Sequence, residues 1–253
     1  MHLKRAHRDS LMLAGIPFEP LFTYETANIN IEKDTFSDVN PDSLRFIKAV
    51  YRLPIPVSFI IDNDSMKKYN KVQVFLLRHF SMKNVIDDTG KYMLKSDVLY
   101  IDGQRSQSMR WLHSFRLEIQ HFASSLSHYL NLAFLEAEYE FEAKLANAKH
   151  FGIQNLYAIH RDYLDTLLKV TFLRNDIYSE EIKSCIEFFN LCVIELRDLV
   201  LSFEHLSEVG IDLLRDQQRQ FSAILGEMKK SLRKMNSEKH TNDFLRMVLS
   251  INT

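Results

Sequence analysis

The sequence predicts an all-α protein: a bundle of about five to six mostly long helices behind an irregular N-terminal arm. Three observations carry that prediction. All five prolines (Pro17, Pro20, Pro41, Pro54, Pro56) lie near the N-terminus, and no proline after Pro56 removes a backbone N–H from a helix. Apolar residues recur three and four apart along the proline-free remainder, the period of one helical face. Ile182, Cys185, Phe189, Cys192, Leu196, Leu199, Phe203 and Leu206 alternate these two spacings without a break, which is a heptad seam.

The elements follow in order. Residues 1–42 carry "IPFEP" and "SDVNPDS" with only weak alternation, so they are read as an irregular arm ahead of a helical domain over 43–253. Leu44 to Leu53 is ambiguous: Leu44, Ile47 and Val50 suit a helix, whereas the prolines that follow push Leu53 and Ile55 into extended conformations. Val57 to Ile61 predicts a buried extended segment. With Asn63 or Asp64 as N-cap, Met66, Tyr69, Val72, Leu76 and Phe80 mark the inner face of a first helix. The stretch over 87–107, with Gly90 and Gly103, reads as its connecting segment. A second helix starts near Ser106, with Met109, Leu112, Phe115, Ile119, Phe122, Leu126, Tyr129 and Leu130 inward, and continues or kinks through Phe134 to Leu145. A third runs near Ile153 to Leu173, with Leu156, Ile159, Tyr163, Leu167 and Val170 inward. The heptad forms the fourth, and in a multi-helix chain its seam is assigned to the inside of the bundle. A fifth near Ile211 to Met235 carries Leu214, Gln217, Phe221, Ile224, Met228 and Leu232 inward, and a short last helix carries Phe244, Met247, Val248 and Ile251.

Composition narrows the function classes. A chain of 253 residues that is 46% hydrophobic can bury a sizeable core, and 32 basic against 33 acidic residues leaves a formal charge of −1. That balance lacks the basic footprint of a general nucleic-acid binder, so no nucleic-acid partner is expected. No apolar run approaches the ~20 residues of a membrane span, and "MHLKRAHRDS" has no apolar signal core, so the expectation is no membrane and a cytosolic or nuclear location. Cys185 and Cys192, seven apart on a helix, sit roughly 10 Å apart at ~1.5 Å per residue, beyond disulfide reach, and read as small buried hydrophobes.

Catalytic chemistry finds little support. The six glycines are too scattered for a phosphate-binding fingerprint, and the cysteines lack zinc-ligand spacing, so no cofactor, metal or catalytic residue is assigned. Glu118 and His121 form one Glu-x-x-His, but a di-iron bundle needs two plus further carboxylates, so a solvated Glu and a partly buried His are expected. Glu136, Glu138, Glu140 and Glu142 are read as solvated faces. His160 is read as a satisfied packing residue, since Ile159, Tyr163 and Leu164 offer it neither nucleophile nor paired carboxylate. Lys229, Lys230, Arg233 and Lys234, with Lys239, form a basic patch that suits either solubility or an acidic protein partner.

The stretch "LPIPVSFIIDNDSMKKYNKVQVFLLR" resembles a segment of the gamma-tubulin complex component family, with Pro56, Ile60, Ile61, Lys68, Tyr69, Asn70, Leu76 and Leu77 fitting and Val57 and Gln73 or Val74 departing. Further blocks follow in the family's order. Arg116, Leu126, Tyr129, Leu130, Leu135 and Glu136 match one helix, and His160, Leu164, Leu167, Leu168, Phe172 and Leu173 match the next. "CIEFFNLC" and "DFLRMVLSIN" are similar to later segments, so the similarity spans roughly residues 44 to 252. Ala133 replaces an acid and His128 an aromatic.

The resemblance implies a non-enzymatic C-terminal domain that binds gamma-tubulin, alongside other gamma-tubulin complex components, and supports microtubule nucleation at microtubule organising centres or spindle poles. It implies a cytoplasmic, cytoskeletal location, and the family's N-terminal half is expected to be missing. Candidate partner-binding residues are Lys68, Asn70, Lys71, Arg78 and Arg116, as exposed groups around the matched motifs, with Lys229, Lys230, Arg233 and Lys234 as a second patch. The alternative is an unrelated all-α interaction scaffold that pairs through its heptad seam.

Overall fold

In the computed structural model, which describes residues 22–26, 47–51, 57–95, 107–147, 152–174, 177–201 and 208–234, the described residues after the last proline are almost all helical. The helices are α1 (Asn63–Lys95), α2 (Gln107–Asn147), α3 (Ile153–Val170), α4 (Ile177–Leu201) and α5 (Glu208–Lys234). Ahead of them, β1 (Phe22–Thr26) pairs antiparallel with β2 (Ile47–Tyr51), Phe22 opposite Tyr51 and Thr26 opposite Ile47. One stretch of the supposedly irregular arm is therefore a strand, and Ile47–Tyr51 within the ambiguous region is its partner. The aromatic and threonine-rich FTYET suits a strand, but only a distant partner makes one of it. β2 lies against α1.

Val57–Phe59 is a single 3₁₀ turn and not a buried extended segment: Val57 is 37% and Phe59 62% exposed. The Val57 carbonyl accepts from the N–H groups of Ile60 and Ile61, which curls the chain straight into α1. The N-cap is Asp62, one residue before the expected pair. Its Oδ1 accepts from the Ser65 N–H at 2.7 Å, and that bond, first of all, holds its carboxyl below the usual range.

α1 also runs on through Gly90, where a connecting segment was expected. Met82, Val85, Ile86 and Met93 continue the buried face past residue 80, and one interior glycine costs a helix only about 1 kcal/mol. The stripe passes through His79 and Met82, which turns Phe80 outward at 43% exposed.

The main core joins α1, α2, α4 and α5 around Phe115, Phe122, Phe189 and Phe221, with Phe122 centred 5.0 Å from Phe189 and 5.7 Å edge-on to Phe221. The heptad seam is spent here: Ile182, Cys185, Phe189, Cys192 and Leu196 are buried, and α4 packs chiefly on α5 and α1. Burial pushes both thiols up to about 12, so they stay protonated hydrophobes. α3 packs on α1 and α2 through a smaller cluster of Val72, Ala137, Leu164 and Leu167. Phe203, Leu206, Lys239 and the short last helix lie outside the described residues.

α3 ends in a Schellman motif. The Leu173 N–H reaches the Leu168 carbonyl at 2.8 Å and the Phe172 N–H reaches Lys169, with Phe172 at the left-handed φ of 57° where glycine is usual. Its ring is buried and stacks on Tyr129 at 5.4 Å. This turn aims the chain back toward α4 and sets Leu173 beside α1.

Candidate protein-interaction site

One face of α1 is left uncovered by the bundle. Lys67, Asn70, Lys71, Val74, Phe75, Arg78 and His79 recur at helical spacing along it and form one wall of a groove of about 550 Å³. Lys183, Ile186, Glu187 and Asn190 of α4 form the other wall, and Leu173 closes one side. From residue 67 to 79 the wall is ~18 Å long at ~1.5 Å per residue, so the groove is a furrow between two helices.

Its chemistry is two-sided. Val74, Phe75, Leu173 and Ile186 give an apolar floor, while Lys67, Lys71, Arg78 and Lys183 face one carboxylate, Glu187. Lys67 pairs with Asp64 at 2.8 Å and Lys183 with Glu180 at 3.8 Å, both exposed pairs three residues apart that hold a side chain only weakly. Two buried polar atoms in the walls, His79 Nδ1 and Asn190 Oδ1, have no hydrogen-bond partner among the described residues. The other ring nitrogen of His79 meets Ser127 Oγ at 2.8 Å, and burial drives its pKa down to about 4, so the imidazole is neutral.

Of the residues singled out by sequence, Asn70, Lys71 and Arg78 come together here. The others do not. Lys68 lies on the neighbouring face, tied to Asp165 of α3 at 2.7 Å. Arg116 is half-buried on α2, where Nη1 donates to Gln120 Oε1 at 2.7 Å and Gln120 in turn donates to Asp87 at 2.9 Å. Burial lowers its pKa and Asp87 opposes the shift. Lys229 is buried at 8% exposed and so leaves the expected surface patch; burial first, then Arg233, lowers its pKa. Lys230, bound to Glu227, and Arg233 and Lys234 remain exposed on α5.

The sequence reading missed the α4 wall. Lys183, Ile186 or Glu187, and Asn190 keep helical spacing one step round from the heptad seam, a signal masked by the stronger seam beside it.

The remaining candidates separate as well. Glu118 is the half-buried member of its pair, accepting from Gln218 Nε2 at 2.9 Å, and His121 is the exposed one, the reverse of the expectation. His160 is buried and packed as expected, its Nε2 3.0 Å from the Tyr69 hydroxyl, but it is not fully satisfied as expected, since its Nδ1 has no partner among the described residues. Glu136, Glu138, Glu140 and Glu142 are all exposed. Among the described residues no group of three or more His, Cys, Asp or Glu is placed to hold a metal ion, and no helix is long and apolar enough to cross a membrane.

A helical bundle with a furrow that is apolar below and basic at the rim has the form of a protein-interaction module. The chain belongs to the gamma tubulin complex component C-terminal family, whose model matches residues 5–253. It is 23% identical over 209 residues to "Spindle pole body component alp4" of Schizosaccharomyces pombe, a match covering 78% of this chain and 26% of that protein. It is 27% identical over 132 residues to "Gamma-tubulin complex component 6" of Homo sapiens, covering 52% of this chain and 7% of that one. The chain thus spans about a quarter or less of the curated relatives that it matches.

Proposed function

We propose that this chain is a non-enzymatic gamma-tubulin-binding component of a gamma-tubulin complex, supporting microtubule nucleation at the spindle pole or another microtubule organising centre. Membership of the family across residues 5–253 carries the reading. The names of the relatives, a spindle pole body component and a gamma-tubulin complex component, agree with it.

Nucleation needs several tubulin subunits held in lateral register, which is improbable for free subunits and local once each is tethered to a template. This chain supplies the grip on one subunit, and other complex components supply the array. Asn70, Lys71 and Arg78 are the best-placed of the candidates, because they share one accessible surface. Lys68 and Arg116 act behind that surface by fixing α1 to α3 and α2. Capture of purified gamma-tubulin by the purified chain tests the reading, and a folded chain that captures none at low salt removes it.

A further inference from the structure

We infer that the furrow between α1 and α4 receives one amphipathic helix with acidic flanks from a partner protein. The inference rests on the functional reading only in taking the α1 face as the side turned to partners. Length and chemistry point the same way.

The groove-lining α1 residues continue for about three turns at the spacing by which one helix presents itself to another, and α4 supplies a second, facing wall. A furrow ~18 Å long matches about three turns of a seated helix, whose apolar side would cover Val74, Phe75 and Ile186. The rim then sets the sign. With Asp64 and Glu180 offsetting Lys67 and Lys183, Lys71 and Arg78 still outweigh Glu187, so carboxylates flanking the apolar stripe are attracted and cationic flanks are repelled.

The full chain is titrated with a fluorescent synthetic peptide, helical, with leucines on one face and glutamates on both flanks. A peptide of the same leucines with lysine flanks serves as the counter-probe. Binding of the glutamate peptide alone is expected. Lys71→Glu with Lys183→Glu should weaken it at least about tenfold, and Val74→Arg, which fills a half-buried wall position, should do the same. Lys91→Glu, on α1 but away from the groove, should leave it unchanged, and circular dichroism checks that each variant is folded.

Equal binding of both peptides, or binding indifferent to Val74→Arg, overturns the inference. So does a wild-type chain that self-associates, loses that association in Val74→Arg and ignores the peptide, because the occupant is then a second copy. Gamma-tubulin capture is measured on the same samples. Capture without peptide binding sinks the groove and keeps the functional reading; peptide binding without capture does the opposite.

Discussion

The Arg116 guanidinium lies directly over Gly90: a Cβ built on Gly90 would meet Nη1 at 2.7 Å and Cζ at 3.1 Å. A residue that looked like a helix breaker is instead the seat of a side chain from α2. Alanine normally gains about 0.5–1 kcal/mol over an interior helical glycine. Gly90→Ala should gain nothing, because the arginine must leave Gln120, whereas in an Arg116→Ala background the same change should stabilise by about 0.5–1 kcal/mol. Gly226→Ala on α5, where a Cβ meets nothing within 4 Å, should show the full gain unaided. Urea unfolding of the four variants measures the coupling, and equal gains in both Gly90 backgrounds would sink the account.

Phe172 presents the opposite trade. Its left-handed backbone costs roughly 1–2 kcal/mol for a residue with a Cβ, while its buried ring stacks on Tyr129. Phe172→Ala loses the ring and keeps the strain; Phe172→Gly loses the ring and relieves it. The glycine variant should therefore be the more stable of the two by about 1 kcal/mol, both lying below wild type by several kcal/mol. A glycine variant no better than the alanine one would show that the turn is unstrained.

His79 makes stability depend on pH in a defined direction. Its pKa falls from 6.5 unfolded to about 4 folded because burial disfavours the imidazolium. The unfolded chain binds the extra proton between those values, so this contribution is fully present above pH 6.5 and is lost as pH falls toward 4, by up to about 3 kcal/mol. His160, also lowered by burial, adds in the same sense. Thermal midpoints between pH 7 and pH 4.5 should fall more steeply for wild type than for His79→Gln, and parallel curves would contradict the assignment.

The helical core was legible because period alone decides it: Leu126, Tyr129, Leu167, Phe189 and Leu196 are buried. The misses came where a distant contact outweighed local pattern. Gly90 is tolerated because Arg116 covers it, and Phe22–Thr26 is a strand because Ile47–Tyr51 lies beside it. Lys229 reads as surface charge yet is buried. The groove was half legible, since Asn70, Lys71 and Arg78 belong to one helix, but the α4 wall opposite them is a product of packing.

The most direct measurement is association of gamma-tubulin with the purified chain at low and at moderate salt, comparing wild type with Lys71→Glu, Arg78→Glu. Lys71 is exposed, Arg78 is half-buried, and both line the groove, so reversing them attacks complementarity, and circular dichroism checks that the fold survives. Wild type should bind, more weakly as salt screens charges over roughly 8–10 Å, and the double variant should associate at least about tenfold more slowly with its helix content unchanged. A folded wild-type chain with no detectable gamma-tubulin binding at low salt would contradict the account.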